Sequence, residues 1–176
     1  VCLLNVGSNH PRKNLSTILK VLENLQRRGL PIHLWKVGAD FTDEQKAFIQ
    51  TQGLENHVSY LGKPDKSTLV QIYNGADILI APSLHEGFGI TLLEAMACGL
   101  PVITSKVSAM PEVVGNAGVL VDPTDCQAIA DAVCHLHNNH DYYQELVNKG
   151  LVRAKSFTWE KTAEQIAEIY EKLLSQ

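Results

Sequence analysis

The sequence predicts an α/β domain, a doubly wound six-stranded parallel sheet flanked by helices. Three observations carry that expectation. Apolar runs of strand length alternate with segments of helical period along the chain. The short runs are continuous in Val, Ile and Leu rather than alternating with polar residues, as in strands buried on both faces of a helix-covered sheet. Gly or Pro closes most of them: Gly7, Gly38, Gly62, Pro82 and Pro123. Strand–helix alternation with such strands selects a parallel sheet between two helical layers.

The first strand occupies residues 1–6 and stops at Gly7. A helix over 14–28 follows, with Leu15, Ile18, Leu19, Leu22 and Leu25 at helical spacing. Asn14 or Ser16 caps its start and Gly29 sits past its end. Residues 32–37 form the second strand, closed by Gly38. Residues 42–51 form a helix with Asp43 and Glu44 in its first turn, where negative charge suits the helix dipole. A short third strand spans 58–61, and a helix over 67–74 turns Leu69, Ile72 and Tyr73 to its apolar side. The fourth strand, 78–81, is broken by Pro82. A helix over 89–97 ends at Gly99, and the fifth strand covers 101–104. A helical turn follows Pro111, and the sixth strand, 118–121, is ended by Pro123. Helices over 126–137, 142–156 and 160–174 complete the chain. Trp35 is expected in the core, and Trp159 as a packing anchor before the last helix.

At 176 residues, without repeat, low-complexity tract or linker, the chain reads as one domain over 1–176. Its 45% hydrophobic and 19% charged residues exclude a disordered chain. The net charge of −4 argues against a nucleic-acid partner. Cys2, Cys98, Cys126 and Cys134 form no C-x-x-C pair and fit neither a zinc template nor a disulfide framework. They are expected as reduced, mostly buried thiols in a cytoplasmic protein. No stretch approaches 18 consecutive apolar residues, so no membrane span is expected. No signal peptide is apparent. The chain opens on Val1 without an initiator Met, which suggests a piece of a longer protein.

In such sheets ligands bind beyond the carboxyl ends of the strands, and two post-strand segments carry chemistry. In Glu86-Gly87-Phe88-Gly89-Ile90-Thr91-Leu92-Leu93-Glu94, Glu86 lies on a glycine-flanked loop and Glu94 inside the next helix. Gly87 and Gly89 let backbone approach a ligand, and the amides of Gly89 to Leu92 form a phosphate cradle at a helix start. Glu94, one turn further in, suits vicinal hydroxyls because a carboxylate accepts two O–H donors. The plainer reading leaves Glu86 as a loop charge and Glu94 as a solvated helix residue. The second segment is Gly7-Ser8-Asn9-His10-Pro11-Arg12-Lys13-Asn14. Arg12 and Lys13 sit near a helix N-terminus, where cations are unfavourable unless an anion lies between them. Neither segment matches a Walker loop or a G-x-G-x-x-G fingerprint, which removes a plain dinucleotide-dependent oxidoreductase. His135, His137 and His140 fall on different helix faces and make a poor metal set. His85 is a neighbour of the first segment.

These motifs resemble the C-terminal, donor-binding domain of group 1 retaining glycosyltransferases, which have two Rossmann-like domains in the GT-B architecture. The Glu86…Glu94 pair in E-G-F-G-I-T-L-L-E-A-M-A-C-G-L-P-V is the strongest signature. A-D-I-L-I-A-P-S precedes it, and M-P-E-V-V-G-N-A-G-V-L-V-D-P and the late F-T-W at 157–159 follow. V-G-S-N-H-P-R-K-N-L matches the opening strand and phosphate loop, so the resemblance covers essentially the whole chain. It implies that Lys13 neutralises the donor's diphosphate, with Gly7, Ser8 and Arg12 around it. Glu86 would contact the donor sugar or steady charge at its anomeric carbon. The backbone amides of Phe88, Gly89, Ile90, Thr91 and Leu92 would hold sugar and phosphate. Glu94 would bind the ribose, and Leu61, Gly62 and Lys63 would lie beside the base. One departure is Ser8, where the family often has Arg; either Arg12 or Lys13 takes over that charge, or the diphosphate is held less tightly.

The implied reaction moves a hexosyl group from a nucleotide-sugar to a hydroxyl acceptor with retention, in polysaccharide or glycolipid synthesis. No cofactor and no metal are expected, since no Asp-x-Asp site is apparent. The implied partner is an N-terminal acceptor-binding domain of the same protein, through which the enzyme docks at the inner face of the membrane. The fragment alone is expected to bind nucleotide and to transfer little or nothing. Ala163, Ile166, Ala167, Ile169, Tyr170 and Leu173 stripe the last helix, to face that domain or to pack on this one. The competing class is a nucleotide-binding regulatory module that kept the fold without transfer. Nearer alternatives are an epimerase, expected to lack the paired Glu signature, and a phosphorylase, far larger with a cofactor-bearing Lys.

Overall fold

The computed structural model describes residues 1–175; Gln176, the last residue of the expected domain, lies outside the described residues. Six parallel strands form one sheet in the order β3-β2-β1-β4-β5-β6: β1 Cys2–Gly7, β2 His33–Gly38, β3 Val58–Tyr60, β4 Ile78–Ala81, β5 Val102–Ser105 and β6 Val119–Val121. The order reverses between β1 and β4, so a crevice opens where the chain leaves those two strands in opposite directions. The helices are α1 Leu15–Arg27, α2 Asp43–Thr51, α3 Lys66–Gly75, α4 Ile90–Ala97, α5 Met110–Val114, α6 Cys126–Asn138, α7 His140–Ala154 and α8 Trp159–Leu174.

Two apolar layers sandwich the sheet. One joins Leu3, Leu34, Ile78, Ile80 and Ile103 to the inner faces of α1 and α6. The other joins Leu4, Val37, Leu79 and Val102 to Leu92, Ala95 and Met96 of α4 and to α5. Adjacent strand residues enter opposite layers, which is why these strands read as unbroken apolar runs. The sequence missed two single-turn 3-10 helices, Pro11–Lys13 and Glu55–His57, each too short to show a period.

Asn14 is the N-cap residue of α1 yet does not cap it with its side chain. It adopts a left-handed backbone, φ 59°, and its side-chain amide donates to Pro82 O at 2.9 Å and Pro123 O at 2.7 Å. Leu84 N also donates to Arg12 O at 2.7 Å. The exits of β1, β4 and β6 are thus laced together by hydrogen bonds. The four cysteines are free and partly buried, Cys126 and Cys134 against the first apolar layer and Cys2 and Cys98 against the second. Trp35 is partly buried against the second layer. Trp159 is 83% exposed and anchors nothing. The anchoring falls to Phe157, whose ring meets Phe88 edge-on at 5.8 Å and lies beneath Arg153 at 4.7 Å. Every described residue of α8 is exposed, so its apolar stripe does not pack on this domain.

The tightest backbone approach lies where β1 and β2 end in register, Gly7 opposite Gly38. Gly38 has φ 106°, and a Cβ there would stand 2.2 Å from Gly7 O. Gly38→Ala is therefore expected to cost at least about 2 kcal/mol in urea unfolding. Gly87→Ala, in open space and without positive φ, should stay within about 0.5 kcal/mol of wild type.

Candidate functional site

The carboxyl ends of β1, β4 and β5 and the start of α4 enclose a narrow polar cleft. Asn5, Lys13, Ser83, Glu86, Gly89, Thr91 and Thr104 contribute to its walls. Its floor is polar but satisfied: Asn5 Nδ2 donates to Ile80 O at 3.0 Å, Thr104 Oγ1 to Ala81 O at 2.8 Å and Ser105 Oγ to Ser83 O at 2.6 Å. These buried bonds fix the route by which the chain leaves β4.

The anion required between Arg12 and Lys13 is present, and it belongs to the protein. Lys13 Nζ lies 2.5 Å from Glu86 Oε1, and Arg12 Nη1 lies 3.0 Å from Glu86 Oε2. Ser83 Oγ donates to the same Oε1 at 2.9 Å. Burial pushes the Glu86 carboxyl up, but the hydrogen bonds from Lys13 and Ser83 and the charges of Lys13 and Arg12 outweigh it and bring it below the ordinary glutamate value. Glu86 is therefore a carboxylate clamped by two cations in a partly desolvated cleft. Ser108, with φ 59°, braces the Glu86 backbone from the β5 exit: its hydroxyl donates to Glu86 O at 2.6 Å and lies 3.2 Å from His85 Nδ1.

Gly89, with φ 98°, turns the chain into α4 as its N-cap. Leu92 N donates back to Gly89 O at 2.9 Å, so the Leu92 amide is spent inside the turn. Ile90 and Thr91 begin the helix, where amides lack an intrahelical acceptor. Phe88 and Ile90 are exposed and Leu92 is buried. Glu94, one turn in, accepts a hydrogen bond from Tyr73 Oη on Oε2 at 2.9 Å. Burial, then the Glu94 charge, push the Tyr73 hydroxyl's pKa up, so it stays a donor. It orients Glu94 and leaves Oε1 for another donor.

Gly7 and Ser8 leave β1 on the rim of the cleft, with Ser8 exposed. Leu61, Gly62 and Lys63 follow β3, two strands away from β1. Gly62 O accepts from Gly38 N at 2.7 Å, which joins that segment to the β1–β2 end, while Leu61 and Lys63 face solvent. The structure thus gathers Arg12, Lys13, Glu86 and the α4 start around one cleft. Among the described residues no three His, Cys, Asp or Glu side chains gather as a metal-binding group, the helical histidines included.

Sequence reasoning missed Lys36. It is fully buried in β2, and its ammonium donates to Gly7 O at 2.7 Å and Val37 O at 2.8 Å. A lone Lys inside an apolar strand of a doubly covered sheet was the available signal. Burial, then the neighbouring Lys13 charge, bring its pKa down to about 8. The unfolded chain holds that proton up to the ordinary lysine range, so it binds more protons than the folded chain above pH 8. Folding stability contributed by this group therefore rises with pH. In urea unfolding, wild type is expected to gain about 2–3 kcal/mol on Lys36→Met between pH 7 and pH 10.

A family model described as glycosyl transferases group 1 matches residues 1–139. O-antigen chain mannosyltransferase B of Escherichia coli is 33% identical over 173 residues, which is 97% of this chain and 45% of that protein. Phosphatidyl-myo-inositol mannosyltransferase of Mycobacterium leprae is 34% identical over 166 residues, 93% of this chain and 44% of the relative. Among solved structures, sucrose-phosphate synthase of Thermosynechococcus elongatus superposes with a TM-score of 0.85 at 28% identity, over 99% of this chain and 45% of that one. HepE of Anabaena, solved in complex with UDP and glucose, gives a TM-score of 0.84 at 23% identity, over 97% and 48%. The chain spans less than half the length of the curated relatives it matches. The six-stranded parallel sheet with its crevice at the β1–β4 switch is the fold these structures share. The family model covers most of the sequence, and the chain belongs to the group 1 glycosyl transferases.

Proposed function

We propose that this chain is the donor-binding domain of a retaining hexosyltransferase and holds the nucleoside diphosphate of a nucleotide-sugar in the cleft between the β1 and β4 exits. The observation that carries the reading is the ion-paired cluster. Two cations pair with one carboxylate, and the start of α4, whose first amides have no intrahelical acceptor, lies beside them, a set of donors suited to diphosphate oxygens. The mannosyltransferase relatives support a hexosyl donor, and UDP bound in HepE supports a nucleotide.

The bond to be broken joins the anomeric carbon to a phosphate oxygen. Charge then builds on the departing diphosphate and, with opposite sign, on the sugar. Lys13 and the Ile90 and Thr91 amides would stabilise the first, as fixed donors do at an oxyanion. Glu86 would stand beside the second. For this the diphosphate replaces Glu86 on Lys13, and the released carboxylate turns to the sugar. Arg12, held on the same carboxylate, would pass from it to the diphosphate and supply the cation that Ser8 does not. Glu94, oriented by Tyr73, would take the ribose hydroxyls, with the base beside Leu61, Gly62 and Lys63. Cations and helix amides do this work without a metal or cofactor. The acceptor site and the remaining machinery belong to a second domain, in line with the chain's share of its relatives' length. The pathway is polysaccharide or glycolipid synthesis on the cytoplasmic side, and no helix among the described residues is long and apolar enough to cross a membrane.

Calorimetric titration with UDP, GDP and ADP, without added metal, tests the reading. One of the three is expected to bind selectively, unchanged by EDTA and at least tenfold more weakly in Lys13→Ala and Glu94→Ala. Glu86→Gln is expected to strengthen binding of the nucleoside diphosphate severalfold, because Lys13 no longer has to leave a carboxylate. A folded protein that binds none of the three would refute the proposal.

A further inference from the structure

The buried lysine of β2 is absorbed neither by the apolar core nor by the ion-paired cluster. Its position relative to Gly7 gives it a role. The Gly7 carbonyl points toward β2, where it accepts from Lys36 Nζ at 2.7 Å and from Ala39 N at 3.1 Å. A trans peptide places the next N–H on the opposite side of the chain from that carbonyl. β1 lies between β2 and β4. The Ser8 N–H is therefore turned toward the β4 side, where the Glu86 loop forms the other wall. That N–H donates to no described residue. On its other side Gly7 faces Lys13: a Cβ on Gly7 would stand 3.4 Å from Lys13 Cε and 3.6 Å from its Nζ. Two ammonium groups thus flank one residue, Lys13 in the cleft and Lys36 sealed beneath the turn.

Resting on the donor reading above, we propose that Lys36 is a positioning residue for the diphosphate: it fixes the Gly7–Ser8 peptide with its N–H toward the ligand and supplies a buried positive charge behind it. Of the acids nearby, Asp40 favours the Lys36 charge, though less than burial and Lys13 oppose it. Asp40, on the loop after β2, is exposed and held by Lys46 at 2.7 Å and by Phe41 N at 2.7 Å. Glu86 is held by Lys13 and Arg12. Lys13 opposes the charge of Lys36. A diphosphate seated on Lys13 reverses that opposition, because the added negative charge favours the protonated form of Lys36. Binding and protonation of this buried amine are then linked, each promoting the other.

The test titrates wild type and Lys36→Met with whichever of UDP, GDP and ADP binds, and with its parent nucleoside. It is run at pH 8.5, above the titration of the phosphate itself, in two buffers of different ionisation enthalpy. Lys36→Met is expected to bind the diphosphate at least tenfold more weakly and the nucleoside as wild type does. Wild type is expected to take up a fraction of a proton on binding the diphosphate, and Lys36→Met none. A lysine that only braces the fold would give equal losses for both ligands and no proton uptake. That result, or unchanged affinity in Lys36→Met, with Lys13→Ala still weakening wild-type binding, overturns the inference and leaves the donor reading standing. No binding by wild type overturns both. Should Lys36→Met fail to fold, the wild-type enthalpies in the two buffers decide: proton uptake supports the inference and its absence overturns it.

Discussion

The site end of this molecule depends on how closely β1 and β2 leave the sheet together. Gly38 sits so near the Gly7 carbonyl that no side chain fits between them. Because of that contact, Gly7 O can be shared by Ala39 N and the buried ammonium of β2, and Gly38 N can reach Gly62 O. Three consecutive strand exits in the sheet, those of β1, β2 and β3, are set by one pair of glycines. On the other side of β1 the lacing is done by side chains: Asn14 reaches Pro82 and Pro123, and Ser108 reaches Glu86. The only two non-glycine residues with left-handed backbone among those described are these, Asn14 and Ser108. Their local strain is held by the hydrogen bonds they make across loops.

The apolar architecture was legible because the inner strands β1, β4 and β5 are buried on both sides, and a strand of that kind writes itself as a largely apolar run; the edge strand β3 is only partly buried. Helix ends were read to within one or two residues where a cap or a glycine marked them, as at Thr42 before α2 and Gly89 before α4. The exceptions have local causes. Asn14 looked like a helix cap, but its amide is claimed by two carbonyls far away in sequence. Trp159 looked like an anchor before the last helix; Phe157, two residues earlier, does the packing, against Phe88 and Arg153.

The polar half of the site was legible as residues and not as pairings. Spacing put Arg12, Lys13 and Glu86 in two separate loops, and nothing in one dimension joins positions 73 or 74 residues apart. The Tyr73 hydroxyl was hidden by the ring's apolar body, which sits in the second core layer while its oxygen reaches Glu94. Lys36 was hidden by the rule that lysines stay at the surface. In each case the missing information was a tertiary neighbour.

Phe88 rests against Phe157, Phe157 is covered by Arg153, and two residues later the chain enters α8. The described residues of that last helix are all exposed. Where the chain turns from α7 into this exposed helix, it is tied by one aromatic contact, Phe157 on Phe88, to the loop that carries Glu86.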